Sequence, residues 1–151
     1  MKIFILPLLL LACTSFGQIV KFSNPATVAK PNGYSHAAII DLGNSKMVII
    51  SGQIALDKQG NLVGKDDMGK QAEQVFANIK SIVEDAGGTM NDLVKLNYFL
   101  LDVAQIQAVR NVRDKYVNVQ NPPASTLVQV SKLFRDGFLL EIEATAVISK
   151  K

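Results

Sequence analysis

The sequence predicts an α+β domain in the order ββαβαββ, a mixed sheet with two helices on one face. Three observations carry this: two β-branched runs flanking Gly43-Asn44-Ser45, a long helical repeat between Ala72 and Ala86, and a last segment that alternates between two faces. With 151 residues, 48% hydrophobic, the chain has apolar surface for one core, and no linker, repeat or low-complexity tract marks a second domain.

Ala37 to Leu42 and Lys46 to Ser51 form the first hairpin around its turn triplet, and the polar, glycine-containing stretch from Gln53 to Asp67 reads as a loop. Ala72, Val75, Phe76, Ile79, Ile82, Val83 and Ala86 then recur at three- and four-residue spacing. Asp66 or Asp67 is available as N-cap, and Gly87-Gly88 is the stop. Leu93 to Leu101 reads as a strand, with Val94, Leu96, Tyr98 and Leu100 on one side and Lys95, Asn97, Phe99 and Leu101 on the other. Asp102 caps a second helix carrying Ile106, Val109, Tyr116 and Val117, and Pro122-Pro123 closes the segment after it.

Two strands complete the chain, Ala124 to Val130 and Leu139 to Ile148, joined around Arg135-Asp136-Gly137. In the last, Leu140, Ile142, Ala144, Ala146 and Ile148 form a wholly apolar face suited to pack beneath the helices. Leu139, Glu141, Glu143, Thr145 and Val147 form a mixed face that two helices cannot also cover. Contact with another subunit is the expectation there, since burial suits its apolar members and clefts at the rim suit its carboxylates.

At the N-terminus, Met1-Lys2 precedes an apolar run from Ile3 to Ala12 broken by Pro7. The run is about ten residues, short of the roughly 20 that span a bilayer. Ser15-Phe16-Gly17 suits signal-peptidase cleavage, so residues 1–17 read as a secretory signal and residues 18–151 as a single domain. A second reading stays open: Leu10-Leu11-Ala12-Cys13 also fits a lipoprotein signal, in which Cys13 becomes the lipidated first residue. A third is a retained, buried segment; all three point to an exported protein, periplasmic or secreted, with membrane attachment only through Cys13. As Cys13 is the only cysteine, no intrachain disulfide can form.

The net charge of +3 is spread along the chain, with aromatic content of 7% and no basic block, which argues against a nucleic-acid partner. One histidine, His36, cannot supply a multi-histidine metal site and reads as a surface or loop residue. Ser51-Gly52 lacks the flanking glycine of a nucleophile elbow, and neither a P-loop nor GxGxxG occurs, so no metal and no cofactor is implied.

Four short patterns occur in order on this layout: Gly33-Tyr34, Ile50-Ser51-Gly52-Gln53, Val94-Lys95 through Phe99 to Asp102, and Asn121 to Val147, where NPPASTLVQVSKL is followed by a turn and LLEIEATAV. Together, over residues 24–148, they resemble the RidA/YjgF family of reactive-intermediate deaminases. The resemblance implies a chorismate-mutase-like fold and a homotrimer whose sheets face inward. It also implies small-molecule sites between subunits and hydrolysis of an enamine or imine to a carbonyl and ammonia. Position by position, it makes Tyr34, Ser51 and Phe99 substrate-binding and Glu141 the catalytic carboxylate that positions or activates water.

The departures fall where specificity is set. Ser125, also a substrate-binding position, stands where the family carries an arginine that grips the carboxylate of a 2-imino acid, Leu127 where a cysteine is frequent, and Arg110 where an asparagine is common. A serine replaces two charge-assisted hydrogen bonds with one neutral bond. Other cations are few: Arg110, Arg113 and Arg135, and lysines such as Lys95 and Lys132, of which Lys132 is out of phase with Ser125. The expectation is a site lacking this charge, with altered substrate preference or, in the rival reading, a ligand-binding or interaction module that has lost the reaction.

Overall fold

The computed structural model describes residues 19–150; the signal and lipidation readings at residues 1–17 lie outside them. Strands β1 (Val20–Ser23), β2 (Ala37–Asp41) and β3 (Ser45–Gln53) lead into helix α1 (Met68–Asp85). Strand β4 (Leu93–Leu100), helix α2 (Ile106–Arg113), β5 (Ala124–Gln129) and β6 (Leu140–Ser149) follow. The six strands form one sheet in the order β1-β2-β3-β6-β4-β5, antiparallel except for β4 and β5. A parallel pair needs a crossover, and α2 supplies it. Both helices pack on the same face, α1 against β3, β6 and α2.

The expected order is met with one strand more, because β1 pairs with β2 from Val20↔Ile40 to Ser23↔Ala37. Its Val-Lys-Phe-Ser sequence buries no residue fully, so its strand character comes from the ladder to β2 and not from an apolar pattern. Helix α1 begins where Asp67 accepts a hydrogen bond from the Lys70 amide at 2.9 Å, and it stops where Gly87 takes φ +78°, a left-handed conformation that favours glycine. Its apolar stripe, with Phe76 and Ile79 wholly buried, lies over Leu140, Ile142, Ala144 and Ala146 of β6. Cutting a side chain such as Ile142 back to Ala would cost about 2–5 kcal/mol.

Two local expectations are corrected. Val94 is 44% exposed and Leu93 is buried in its place, because a bulge between Leu93 and Lys95 inserts one residue and reverses the alternation at the start of β4. Helix α2 ends at Arg113, and Asp102 caps a short 3-10 turn ahead of it, accepting from the Ala104 amide. Tyr116 and Val117 thus lie beyond the helix, where Tyr116 stacks on Phe76 at 5.4 Å and donates its hydroxyl to Glu73 at 2.9 Å.

Two buried amides on α1 fix the loops that frame the sheet. Gln71 donates to the Gly137 carbonyl at 2.7 Å and accepts from the Leu139 amide at 2.8 Å, anchoring the approach to β6. Asn78 donates to the carbonyls of Ile54 at 3.2 Å and Leu56 at 3.0 Å, anchoring the segment after β3. Both satisfy backbone groups that the sheet leaves unpaired.

Candidate functional site

Those two anchored loops, the loop before β2 and the mixed face of the sheet border an open cleft of about 470 Å³, lined by Asn32, Tyr34, Ser51, Gly52, Ile54, Leu56, Phe134 and Glu141. Tyr34, Ser51 and Glu141, three of the site residues expected from sequence, therefore meet in one place. Phe99 is the direct cross-strand partner of Glu141 on the same face and lines the adjoining cavity with Phe134, Glu141 and Glu143.

Glu141 is placed by the alternation of β6, which sends Leu140 and Ile142 into the core and leaves the carboxylate on the other face. The ladder between β3 and β6 breaks between Ile50 and Gln53, and in that break Gly52 lies beside the Glu141 side chain. A Cβ at Gly52 would overlap the Glu141 side chain, so this glycine lets the carboxylate lie where it does. Burial first, and the neighbouring Glu143 second, push the Glu141 carboxyl above the usual carboxylate range. Glu143 itself accepts a hydrogen bond from the Asn97 amide at 3.2 Å. Burial, and then Glu141, raise the Tyr34 phenol.

Ser51 is tied at both ends: its hydroxyl donates to the Ser35 carbonyl at 2.7 Å and its amide to the His36 carbonyl at 3.0 Å. His36 lies in the loop before β2 but is buried, 3% exposed, and not on the surface. Its Nε2 faces the Ala29 carbonyl at 2.7 Å and its Nδ1 the Gln53 amide at 3.3 Å, so Nε2 donates and Nδ1 accepts. Tyr34 packs edge-on against this ring at 5.4 Å. Within the chain the histidine is thus an anchor for the tyrosine loop.

Ser125 is elsewhere. It pairs with Leu96 in the parallel ladder, and partners in adjacent strands share a face, so Ser125 and Leu127 point to the helix side while Phe99 and Glu141 point away from it. Ser125 lines a cavity of about 70 Å³ between α2 and β5, together with Tyr98, Ile106, Val109, Arg110, Arg113 and Leu127. Two arginines therefore stand around the serine, where the sequence suggested a missing charge. Their three-residue spacing on a helix facing β5 was the signal available for this. Phe134, 73% exposed and stacked on Phe138 at 5.8 Å, was also missed, because its turn gives no periodic pattern to read.

Among the described residues no cluster of three or more His, Cys, Asp or Glu forms a metal site, and no helix is long and apolar enough to cross a membrane.

The statistical model of the family described as endoribonuclease L-PSP matches residues 25–148. The chain is 38% identical over 110 residues to a 2-iminobutanoate/2-iminopropanoate deaminase of Salmonella typhimurium, covering 72% of this chain and 83% of that protein. The crystal structure of RidA from an Antarctic Psychrobacter superposes with a TM-score of 0.72 at 34% identity, over 87% of this chain and 99% of that one. That of E. coli TdcF with bound serine superposes with a TM-score of 0.72 at 30% identity, over 85% and 99%. With its mixed sheet, its two helices on one face and its glutamate set over a bulge glycine, the chain belongs to the RidA/YjgF family.

Proposed function

We propose that this protein is an exported homotrimer that hydrolyses a small reactive imine or enamine to a carbonyl compound and ammonia, in clefts between subunits. The observation that carries the reaction is Glu141, a half-buried carboxyl of raised pKa over a cavity that also holds Tyr34 and Ser51. Water adds to the carbon of the protonated imine while the carboxylate takes one of its protons; the carboxyl returns that proton to the amino nitrogen, the C–N bond breaks and ammonia leaves, and the remaining hydroxyl proton passes to the carboxylate as the carbonyl forms. A carboxyl poised above its ordinary pKa serves both directions of this relay. The Salmonella relative carries such an activity in its name, and TdcF was crystallised with serine, which supports a ligand of amino-acid size. The family model's name speaks instead of an endoribonuclease. Against that reading stands the single histidine, whose two ring nitrogens both have partners.

Assembly is supported by the mixed face, where Met47, Ile49, Val147, Phe99 and Val128 lie on neighbouring strands with no helix over them. It is supported again by the site: Ser125 and Glu141 face opposite sides of one sheet, so a single ligand can reach both only when they come from different copies. Export rests on the sequence of residues 1–17. Mass spectrometry of the native protein is expected to find Gln18 at the N-terminus, whereas an acylated Cys13 would establish the lipoprotein form.

Substrate preference is expected to differ from that of the Salmonella deaminase. Loss of a buried guanidinium–carboxylate pair commonly costs about 3–5 kcal/mol, on the order of a hundredfold or more in affinity. Ser125 also supports the second reading, a trimer that binds a ligand without turning it over. Ammonia release measured across neutral imines, enamines and 2-imino acids separates the two: turnover that disappears in Glu141→Gln supports the enzyme, and no turnover on any class leaves the binding module.

A further inference from the structure

The small cavity beside Ser125 contains hydrogen-bond donors out of proportion to its size. Arg110 and Arg113 stand one turn apart on α2, held at the sheet by the buried Val109 and Val112. Arg113 is already committed, its Nε and Nη2 donating to Asp114 Oδ1 at 2.8 and 2.6 Å. Arg110 makes no ion pair among the described residues. Across the cavity is Tyr98, only 4% exposed, whose hydroxyl is buried without any hydrogen-bond partner among the described residues. Native structures seldom keep such a group unless something else engages it.

We propose that this cavity is an anion seat in which the Arg110 guanidinium, the Tyr98 hydroxyl and the Ser125 hydroxyl hold the carboxylate of a small imine or of its carbonyl product. The proposal rests on the deaminase reading for the imine, but the seat itself stands on this cavity alone. Every polar group on its wall can donate, and no acidic residue lines it. Ile106, Val109 and Leu127 supply apolar walls around it, while Arg110 and Ser125 remain open to solvent. At about 70 Å³ the cavity exceeds the roughly 10–15 Å³ that one water needs and has room for a small anionic head beside Ser125. The rest of the ligand must extend outward past Leu127, toward whatever faces β5. The charge expected at Ser125 is thus supplied from the helix and not from the strand, which re-sites the carboxylate relative to Glu141 and changes which carbon skeletons fit.

The test is a pair of NMR titrations of the full protein, one with 2-oxobutanoate and one with the uncharged 2-oxobutanamide. The acid is expected to bind at least about tenfold more tightly than the amide, and Arg110→Gln, on an exposed position, is expected to abolish that preference. Tyr98→Phe is expected to weaken the acid several-fold without lowering the melting temperature, since it removes a hydroxyl that has no partner. A preference that persists in Arg110→Gln, or is absent from the native protein, overturns the seat. Ammonia release by the same proteins keeps the two readings apart. A preference governed by Arg110 with no imine turned over leaves the seat and removes the deaminase. Turnover of a carboxylate-bearing imine with the same kcat/KM in Arg110→Gln does the reverse.

Discussion

Gly52 and Glu141 interlock: the glutamate carboxylate occupies the space in which any side chain at position 52 would begin. The bulge in β3 and the side-chain direction of β6 are therefore one device, and the position of the carboxylate depends on a residue that carries no chemistry of its own. Gly52→Ala is expected to displace the carboxylate and lower imine hydrolysis by about a hundredfold, the usual cost of a misplacement near 1 Å. The cost in stability should be small, because what must move is the Glu141 side chain and not the backbone. In a Glu141→Gln background the same change should remove little further activity, which a double-mutant cycle would measure.

Stability should depend on pH through Glu141 in a defined sense. Its carboxyl is raised in the folded state above the ordinary 4.5, by burial first and by Glu143 second, so the folded protein favours the protonated form. The stabilisation this gives is complete below the unfolded pKa and is lost as pH rises through the folded one. Glu141→Gln should therefore match the native protein in acid and exceed its melting temperature at neutral pH, while losing about 10²–10⁴-fold in imine hydrolysis. Melting curves across this range, beside an ammonia assay, check both halves.

Light scattering should find a trimer at micromolar concentration. Ile49 is 45% exposed and lies beside Thr145 in the β3–β6 ladder, at the middle of the uncovered face. Ile49→Lys should yield folded monomers without activity, because a charge there must be desolvated when copies meet. A monodisperse native monomer would remove both the interface and the intersubunit cleft.

Adding Ser125→Arg alone crowds a third guanidinium between Arg110 and Arg113. The exchange Ser125→Arg with Arg110→Asn should do better, raising kcat/KM for 2-iminopropanoate about tenfold or more over the native protein by returning the charge to the strand. If the exchange gains nothing while Glu141 remains in place, the charge at position 125 is not what sets this preference.

Most of the architecture was legible because alternation and helical spacing are dictated by burial: the apolar face of β6 and the stripe of α1 lie where their residues demand. What failed was local. The bulge at Leu93 reversed one strand's phase, and nothing in Leu-Val-Lys announces an inserted residue. Strand β1 and the early end of α2 depend on tertiary pairing and not on their own patterns. In the candidate site, short motifs pointed to Tyr34, Ser51 and Glu141, which meet in one cleft, and to Phe99 beside them, whereas Arg110 was visible as a departure and as one of few candidate cations, not as a neighbour of Ser125. Spacing puts Arg110 and Arg113 on one face of α2, but that this face meets Ser125 depends on how a crossover helix settles on an edge strand.

The opposite orientation of Ser125 and Glu141 within one sheet also has a genetic consequence. In the proposed trimer each cleft borrows one half from each of two copies, so a copy defective at Arg110 and a copy defective at Glu141 are not equivalent failures. Co-expressed, they should assemble clefts in which both native halves coincide, about one in four for random mixing of a cyclic trimer. Two inactive alleles would then complement one another inside a single oligomer.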